Sequence, residues 1–137
     1  MKIEAANFKM IESELYCYKD SLKYIADMED DIINSTGGQS EIHASGVSDI
    51  TGNKAMRLAS NRELIECKRR VQAIDSALQI VSISGESKKY EMIKMKYFDK
   101  KYTDYGIQKE LPISRRTFYR WRKDVIELIA FNLGCRI

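Results

Sequence analysis

The sequence predicts an all-α protein, with a long N-terminal antiparallel helical hairpin followed by a C-terminal three-helix helix-turn-helix domain. Two segments place apolar residues at alternating intervals of three and four, the spacing of one helix face. Pro112, the only proline, separates two further stretches of helical spacing near the C-terminus. A dense row of basic residues follows this break, so the C-terminal block carries the candidate binding surface.

The first predicted helix covers residues 4–34. Its apolar seam consists of Phe8, Ile11, Leu15, Tyr18, Leu22, Ile25 and Ile32. This spacing is typical of a coiled coil, and neither glycine nor proline interrupts it before Gly37. Residues 35–53 hold four of the seven glycines among small polar residues, which predicts a flexible loop. We assign no role to His43 within this loop.

The second predicted helix covers residues 54–82 and has a matching seam. The seam consists of Leu64, Cys67, Val71, Ile74, Leu78 and Val81. Two long helices joined by one loop favour an antiparallel hairpin, which we assign to residues 1–84. Each seam is equally suited to pack on the other or on a second copy of the chain, so a plain scaffold and a dimerisation device both stay open.

Charge is distributed unevenly along the 137 residues. Residues 1–50 carry 4 basic and 10 acidic side chains, a net charge of −6, whereas residues 51–137 carry 19 and 10, a net charge of +9. This polarity favours an anionic partner for the second half. No run of about 18 apolar residues and no secretion-signal pattern is present, so we expect a cytoplasmic protein that does not associate with membranes.

The sequence offers no pattern typical of an enzyme or a metal site. Cys17, Cys67 and Cys135 are widely spaced, and no CxxC pair occurs. We interpret Cys17 and Cys67 as small buried hydrophobic residues of a reducing compartment. There is no glycine-rich phosphate loop or nucleophile motif. We therefore expect neither catalysis nor a cofactor nor a metal.

The C-terminal domain, residues 85–137, is predicted to contain three helices, over about 87–98, 103–110 and 114–133. Thr103 and Ser114 are the expected N-caps of the last two helices, because their hydroxyls satisfy N–H groups of the first turn. Gly134 is the expected residue of the final C-cap. In the last helix, one side is expected to pack inward and consists of Phe118, Trp121, Val125, Leu128 and Asn132.

The segment KYEMIKMKYFDKKYTDYGIQKELPISRRTFYRWRK, residues 89–123, resembles the helix-turn-helix of region 4 of the sigma-70 family. In that family a short helix, an I-S-R-x-T turn and a basic recognition helix follow one another. Where family members commonly have a small apolar residue in the short helix, this chain has Gly106-Ile107-Gln108. The whole layout resembles the phage and prophage late transcriptional activators of the RinA and ArpU type, which implies a DNA-binding activator of phage late or packaging genes.

A helix-turn-helix places the first residues of its second helix against base edges in the major groove. The candidates for base contact are therefore Arg115, Arg116, Tyr119 and Arg120. The candidates for phosphate contact are Ser114, Thr117, Arg122, Lys123, Lys100, Lys101, Thr103 and Lys109. Aromatic stacking on bases is a possible role for Phe118 and Trp121, but their spacing with Val125 favours core packing.

These observations predict a sequence-specific regulator that binds double-stranded DNA and uses the hairpin for self-association or for a contact to RNA polymerase. Two alternatives stay open. A DNA-packaging factor like a phage small terminase subunit would also combine a helix-turn-helix with a helical hairpin. A helical interaction protein that does not bind DNA would use the hairpin alone.

Overall fold

A computed structural model describes residues 3–38 and 49–135, with side chains throughout except at 34–38, 49–56, 58 and 60. The predicted all-α class is confirmed, since these residues form helices and no strand. The helices are α1 (Ala5–Tyr16), α2 (Tyr18–Gly38), α3 (Asp49–Ile83), α4 (Ser87–Ile93), α5 (Asp104–Glu110) and α6 (Arg115–Asn132), with a π-helical segment at Lys94–Asp99. No helix in the described part of the chain has the length and apolarity needed to cross a bilayer.

The chain divides into two compact units. Unit 1 comprises Met1–Lys19 and Arg70–Ile137, and unit 2 comprises Asp20–Arg69. This division differs from the predicted boundary between residues 84 and 85. The physical reason is that α1 and the end of α3 bury their apolar side chains in the same core as α4, α5 and α6.

Unit 1 is organised around one apolar core. Its largest fully buried side chains are Ile11, Leu15, Ile74, Met92, Ile93, Tyr97, Ile107, Phe118, Val125, Ile126 and Ile129. Each side chain of this size stabilises the fold by roughly 1.5–3 kcal/mol when it is removed from water. The core therefore fixes α1 against the C-terminal helices, although they are far apart in sequence.

Unit 2 buries much less apolar surface in its described part. Leu64 is 6% exposed, whereas Leu22 is 41% and Ile65 is 62% exposed. Lys68 Nζ lies 2.6 Å from Glu29 Oε1, and the Cys67 thiol is 3.9 Å from the Ser21 carbonyl oxygen. The predicted antiparallel hairpin stays a prediction, and the exposed Leu22 departs from the predicted seam.

The first predicted helix is two helices. α1 ends at Tyr16, and Cys17 follows as its C-cap with φ −92° and ψ 4°, outside helical geometry. Cys17 is exposed and Cys67 is only partly buried, so the interpretation of both as buried hydrophobic residues is wrong. The apolar spacing runs through this break unchanged, so periodicity alone does not reveal it.

The predicted loop at 35–53 is shorter than expected. α2 continues to Gly38 and α3 begins at Asp49. The rest of that loop, including His43, lies outside the described residues. Helical hydrogen bonding thus overrides the poor helix propensity of Gly37, Gly38 and Gly52.

The predicted helix over 87–98 is α4 followed directly by the π-helical segment. The Lys100 N–H donates to the Met95 carbonyl oxygen over 3.2 Å, a bond that spans five residues. Met95 and Tyr97 of this segment are both buried. The segment ends at Asp99, and the C-cap residue Lys100 that follows has a φ of 56°, in the left-handed region.

Candidate nucleic-acid interface

Two side-chain caps define the starts of α5 and α6. The Thr103 hydroxyl oxygen accepts from the Gly106 N–H over 3.0 Å, and the Ser114 hydroxyl oxygen accepts from the Thr117 N–H over 3.1 Å. Both residues have extended backbone, as N-caps require. The predicted N-caps are confirmed, and α6 therefore begins abruptly at Arg115.

The turn between the two helices is closed by backbone bonds. The Leu111 N–H donates to the Ile107 carbonyl and the Ile113 N–H donates to the Gln108 carbonyl, each over 3.0 Å. Ile107 is fully buried, so α5 is held in the same core as α6. Gly106 lies beside the cap instead, where an added Cβ would come within 3.2 Å of the Thr103 hydroxyl oxygen. Ile107 is thus the packing residue of this short helix.

The inner face of α6 is held by the core. Phe118, Val125, Ile126 and Ile129 are at most 1% exposed, and Trp121 packs partly buried against them. The preference for core packing over base stacking is confirmed for Phe118. At the other end, Cys135 N–H donates to the Ala130 carbonyl and Gly134, with φ 73°, follows the C-cap Leu133, so the predicted glycine cap is confirmed.

The four base-contact candidates lie together on the outer face of α6. Arg115, Arg116, Tyr119 and Arg120 are all exposed. The Arg115 guanidinium carbon lies 5.6 Å from the centre of the Tyr119 ring, in the range of a cation–π contact. The first two turns of α6 therefore present three guanidinium groups and one phenol to solvent, on the side of the helix that faces away from the core.

The phosphate-contact candidates fall into two sets. The hydroxyls of Thr103 and Ser114 accept the two cap bonds, and the Ser114 hydroxyl also donates to the Thr117 hydroxyl over 2.9 Å. Lys100 and Lys101 are exposed, Lys109 Nζ lies 4.8 Å from the centre of the Tyr105 ring, and the Lys123 side chain is 58% exposed. The four lysines are therefore the members of this group with ammonium groups at the surface.

Arg122 differs from its expected role. Its Nε and Nη2 donate to the Glu12 carboxylate over 2.8 Å and 3.3 Å. The guanidinium carbon also lies 4.9 Å from the centre of the Phe8 ring and 5.7 Å from the centre of the Tyr119 ring. Arg122 thus joins α6 to α1 within the protein, and we do not retain it as a phosphate contact.

Glu12 is the centre of an ionic network that the sequence analysis missed. Besides Arg122, it accepts from the Tyr97 hydroxyl over 2.6 Å. Burial opposes ionisation of Glu12, but the hydrogen bonds from Arg122 and Tyr97, with the charges of Arg122 and Lys96, outweigh it and lower its pKa below 4.5. The only sequence signal was a carboxylate beside the apolar seam, and its partners lie 85 and 110 residues away.

A second partly buried cation, Lys96, supports the start of α5. Lys96 Nζ donates to the Asp104 carboxylate over 2.8 Å and lies within 5.8 Å of the ring centres of Tyr16, Tyr97 and Phe118. Burial opposes its charge, but the hydrogen bonds to Asp104 and Tyr16 outweigh this and raise the pKa of Lys96. The π-helical segment is therefore bonded to α5, and through Tyr97 and Glu12 to α6.

Among the described residues, no group of three or more His, Cys, Asp or Glu side chains is arranged to hold a metal ion.

Comparison with known protein families matches residues 8–130 to the family described as "Protein of unknown function (DUF722)". Because the match spans most of the chain, the protein belongs to this family. Comparisons with curated proteins and with solved structures gave no match.

Proposed function

We propose that this DUF722 family member is a sequence-specific regulator of transcription that binds double-stranded DNA with α6 in the major groove. The observation that carries the proposal is the outer face of α6. Arg115, Arg116 and Arg120 are exposed in its first two turns, directly after the Ser114 cap, while Phe118 anchors the opposite face. A rigid helix end that presents arginines is suited to reading base edges.

The chemistry of these side chains favours DNA over a smaller anion. Arginine bridges guanine O6 and N7 through two hydrogen bonds, which gives about 1–3 kcal/mol of discrimination for each well-placed pair. Lys100, Lys101 and Lys109 lie in and before α5, the helix that crosses the backbone in a helix-turn-helix. These lysines supply affinity through phosphates, and the α6 arginines supply specificity.

The biological role follows from the sequence resemblance to RinA-type and ArpU-type activators. We propose that the protein acts in the cytoplasm and activates phage late or packaging genes. Unit 2 then provides self-association or a contact to RNA polymerase. Its exposed apolar side chains, including Leu22 and Ile65, support a role in protein contacts. The same observation favours the second candidate, a helical interaction protein that does not bind DNA.

The test is binding of the full chain to double-stranded fragments from its own genomic neighbourhood, titrated from low to high salt. We expect tight, salt-dependent and site-selective binding that is lost in the triple variant Arg115→Ala/Arg116→Ala/Arg120→Ala with unchanged helix content. If the triple variant binds DNA as well as the parent does, α6 is not the recognition helix. Absence of binding by the parent at low salt favours the interaction protein.

A further inference from the structure

A groove of about 710 Å³ lies between α1 and α6, with Ile3 just before α1 also lining it; we call it the α1–α6 groove. Phe8 and Lys9 of α1 and Tyr119 and Lys123 of α6 line its two sides. All of these residues belong to unit 1. The groove borders the base-contact candidates, since Tyr119 is also one of them and Arg115 lies over its ring.

The floor of the groove is apolar and aromatic, and internal contacts fix it. The Arg122 guanidinium contacts the Phe8 and Tyr119 rings and is held there by Glu12. The Glu12 carboxylate balances the charge of Arg122, so the guanidinium adds little net charge to the groove. Tyr119 is nevertheless 37% exposed, so part of its ring is available to a ligand.

The rim of the groove is cationic. Lys9 is exposed on α1, and the Lys123 side chain is 58% exposed on α6, with Nζ 3.9 Å from the Glu127 carboxylate. Among the lining residues whose charge is not balanced by Glu12, the two cations are Lys9 and Lys123 and the one carboxylate is Glu4. A ligand with negative charges along its edge and an apolar body between them matches this arrangement.

We propose that the α1–α6 groove binds the sugar-phosphate backbone of the DNA beside the major-groove site, with phosphates at Lys9 and Lys123 and deoxyribose against Tyr119. This inference rests on the proposed function and extends it to α1. The supporting observations are the complementary charge of the rim and the continuity of the groove with Arg115 through Tyr119. The DNA-binding surface then comprises two helices, and Lys9 is a backbone contact rather than a solvated lysine.

The experiment compares four full-length proteins on one bound DNA fragment: the parent, Lys9→Gln, Lys123→Gln and the control Lys19→Gln. Lys19 is an exposed lysine of the same unit that lies outside the groove. Each lost phosphate contact reduces the slope of log K against log salt by about 0.9. The loss of affinity in Lys9→Gln is therefore about 3.5-fold greater at 50 mM than at 200 mM salt. Preference for the specific sequence stays unchanged.

A second measurement identifies the phosphate. Single methylphosphonates, which lack the charge, are placed in turn along the DNA backbone. At one position, we expect the methylphosphonate to weaken DNA binding by the parent and by Lys19→Gln. The same methylphosphonate should not weaken DNA binding by Lys9→Gln any further.

The outcomes separate this inference from the proposed function. In one outcome, Lys9→Gln and Lys19→Gln have the same slope of log K against log salt and respond equally to every methylphosphonate, while the α6 triple variant fails to bind. The groove is then not a backbone site, and α6 remains the recognition helix. If the parent does not bind DNA, both proposals are overturned.

Discussion

Arg122 of α6 and Glu12 of α1 form a two-bond ion pair across 110 residues of sequence, with donor–acceptor distances of 2.8 Å and 3.3 Å. The side chains are 25% and 21% exposed, so the pair is largely removed from water. It ties the helix that carries the binding candidates to the first helix of the chain. Disturbing it is expected to affect both the stability of unit 1 and the shape of the α1–α6 groove.

Replacing Glu12 with glutamine removes the charge and weakens the bonds from Arg122 and Tyr97. We expect the free energy of unfolding to fall by about 1–3 kcal/mol, because a partly buried guanidinium loses its counter-ion. Urea unfolding followed by circular dichroism measures this. The matched control is Glu91→Gln at an exposed position of α4, and equal stabilities of the two variants would contradict the expectation.

The same carboxylate predicts a pH dependence. The folded state lowers the pKa of Glu12 below 4.5, chiefly because hydrogen bonds from Arg122 and Tyr97 outweigh the opposing effect of burial. Its contribution to stability is therefore complete above pH 4.5 and is lost as the pH falls through the lowered pKa. The stability difference between the parent and Glu12→Gln should shrink on acidification from pH 7 to about pH 3. A constant difference over that range would argue against an ionised Glu12.

Removal of the α6 cap should destabilise the helix start. We expect Ser114→Ala to lower the free energy of unfolding by about 1 kcal/mol, because the Thr117 N–H loses its acceptor. Thermal and urea unfolding measure the change. Ser87→Ala is the control, since α4 begins at Ser87 without a side-chain cap. Comparable effects of the two substitutions would show that the cap bond contributes little.

The exposed apolar residues of unit 2 predict self-association. Ile65 is 62% exposed on α3, and Ile65→Glu should lower the association constant because it puts a charge on an apolar contact surface. Sedimentation equilibrium of the full chain measures it. Ala59→Glu adds the same charge to a different face of α3 as the control. A monomeric parent, or equal association of both variants, would reject self-association through this face.

Local signals predicted the C-terminal helices well. Thr103, Ser114 and Gly134 act through bonds to residues at most five positions away, so the sequence contains each cap and its partner. The inward position of Phe118 likewise follows from helical spacing. Element type and caps were therefore accessible from the sequence.

The breaks in regular helix and the pairing of residues distant in sequence could not be predicted from local signals. The break at Cys17 leaves the apolar spacing intact, and the local spacing does not distinguish the π-helical turn at Lys94–Asp99 from a regular one. Nothing in the local pattern around Glu12 specifies Arg122 as its partner. The charge and helix position of Arg122 alone predict a phosphate contact, whereas the carboxylate that α1 brings to it is not visible in the local sequence.

The central claim is that α6 reads base edges in the major groove, and replacement of single guanines by 7-deazaguanine tests it most directly. This change removes the major-groove N7 acceptor and leaves the phosphates and pairing intact. On a bound fragment, we predict that one or more replacements lower the affinity of the parent about tenfold. The same replacement should not change the affinity of the variant, Arg115→Ala, Arg116→Ala or Arg120→Ala, that lacks the arginine contacting that guanine. Equal binding of the parent to every substituted fragment would contradict base reading by α6.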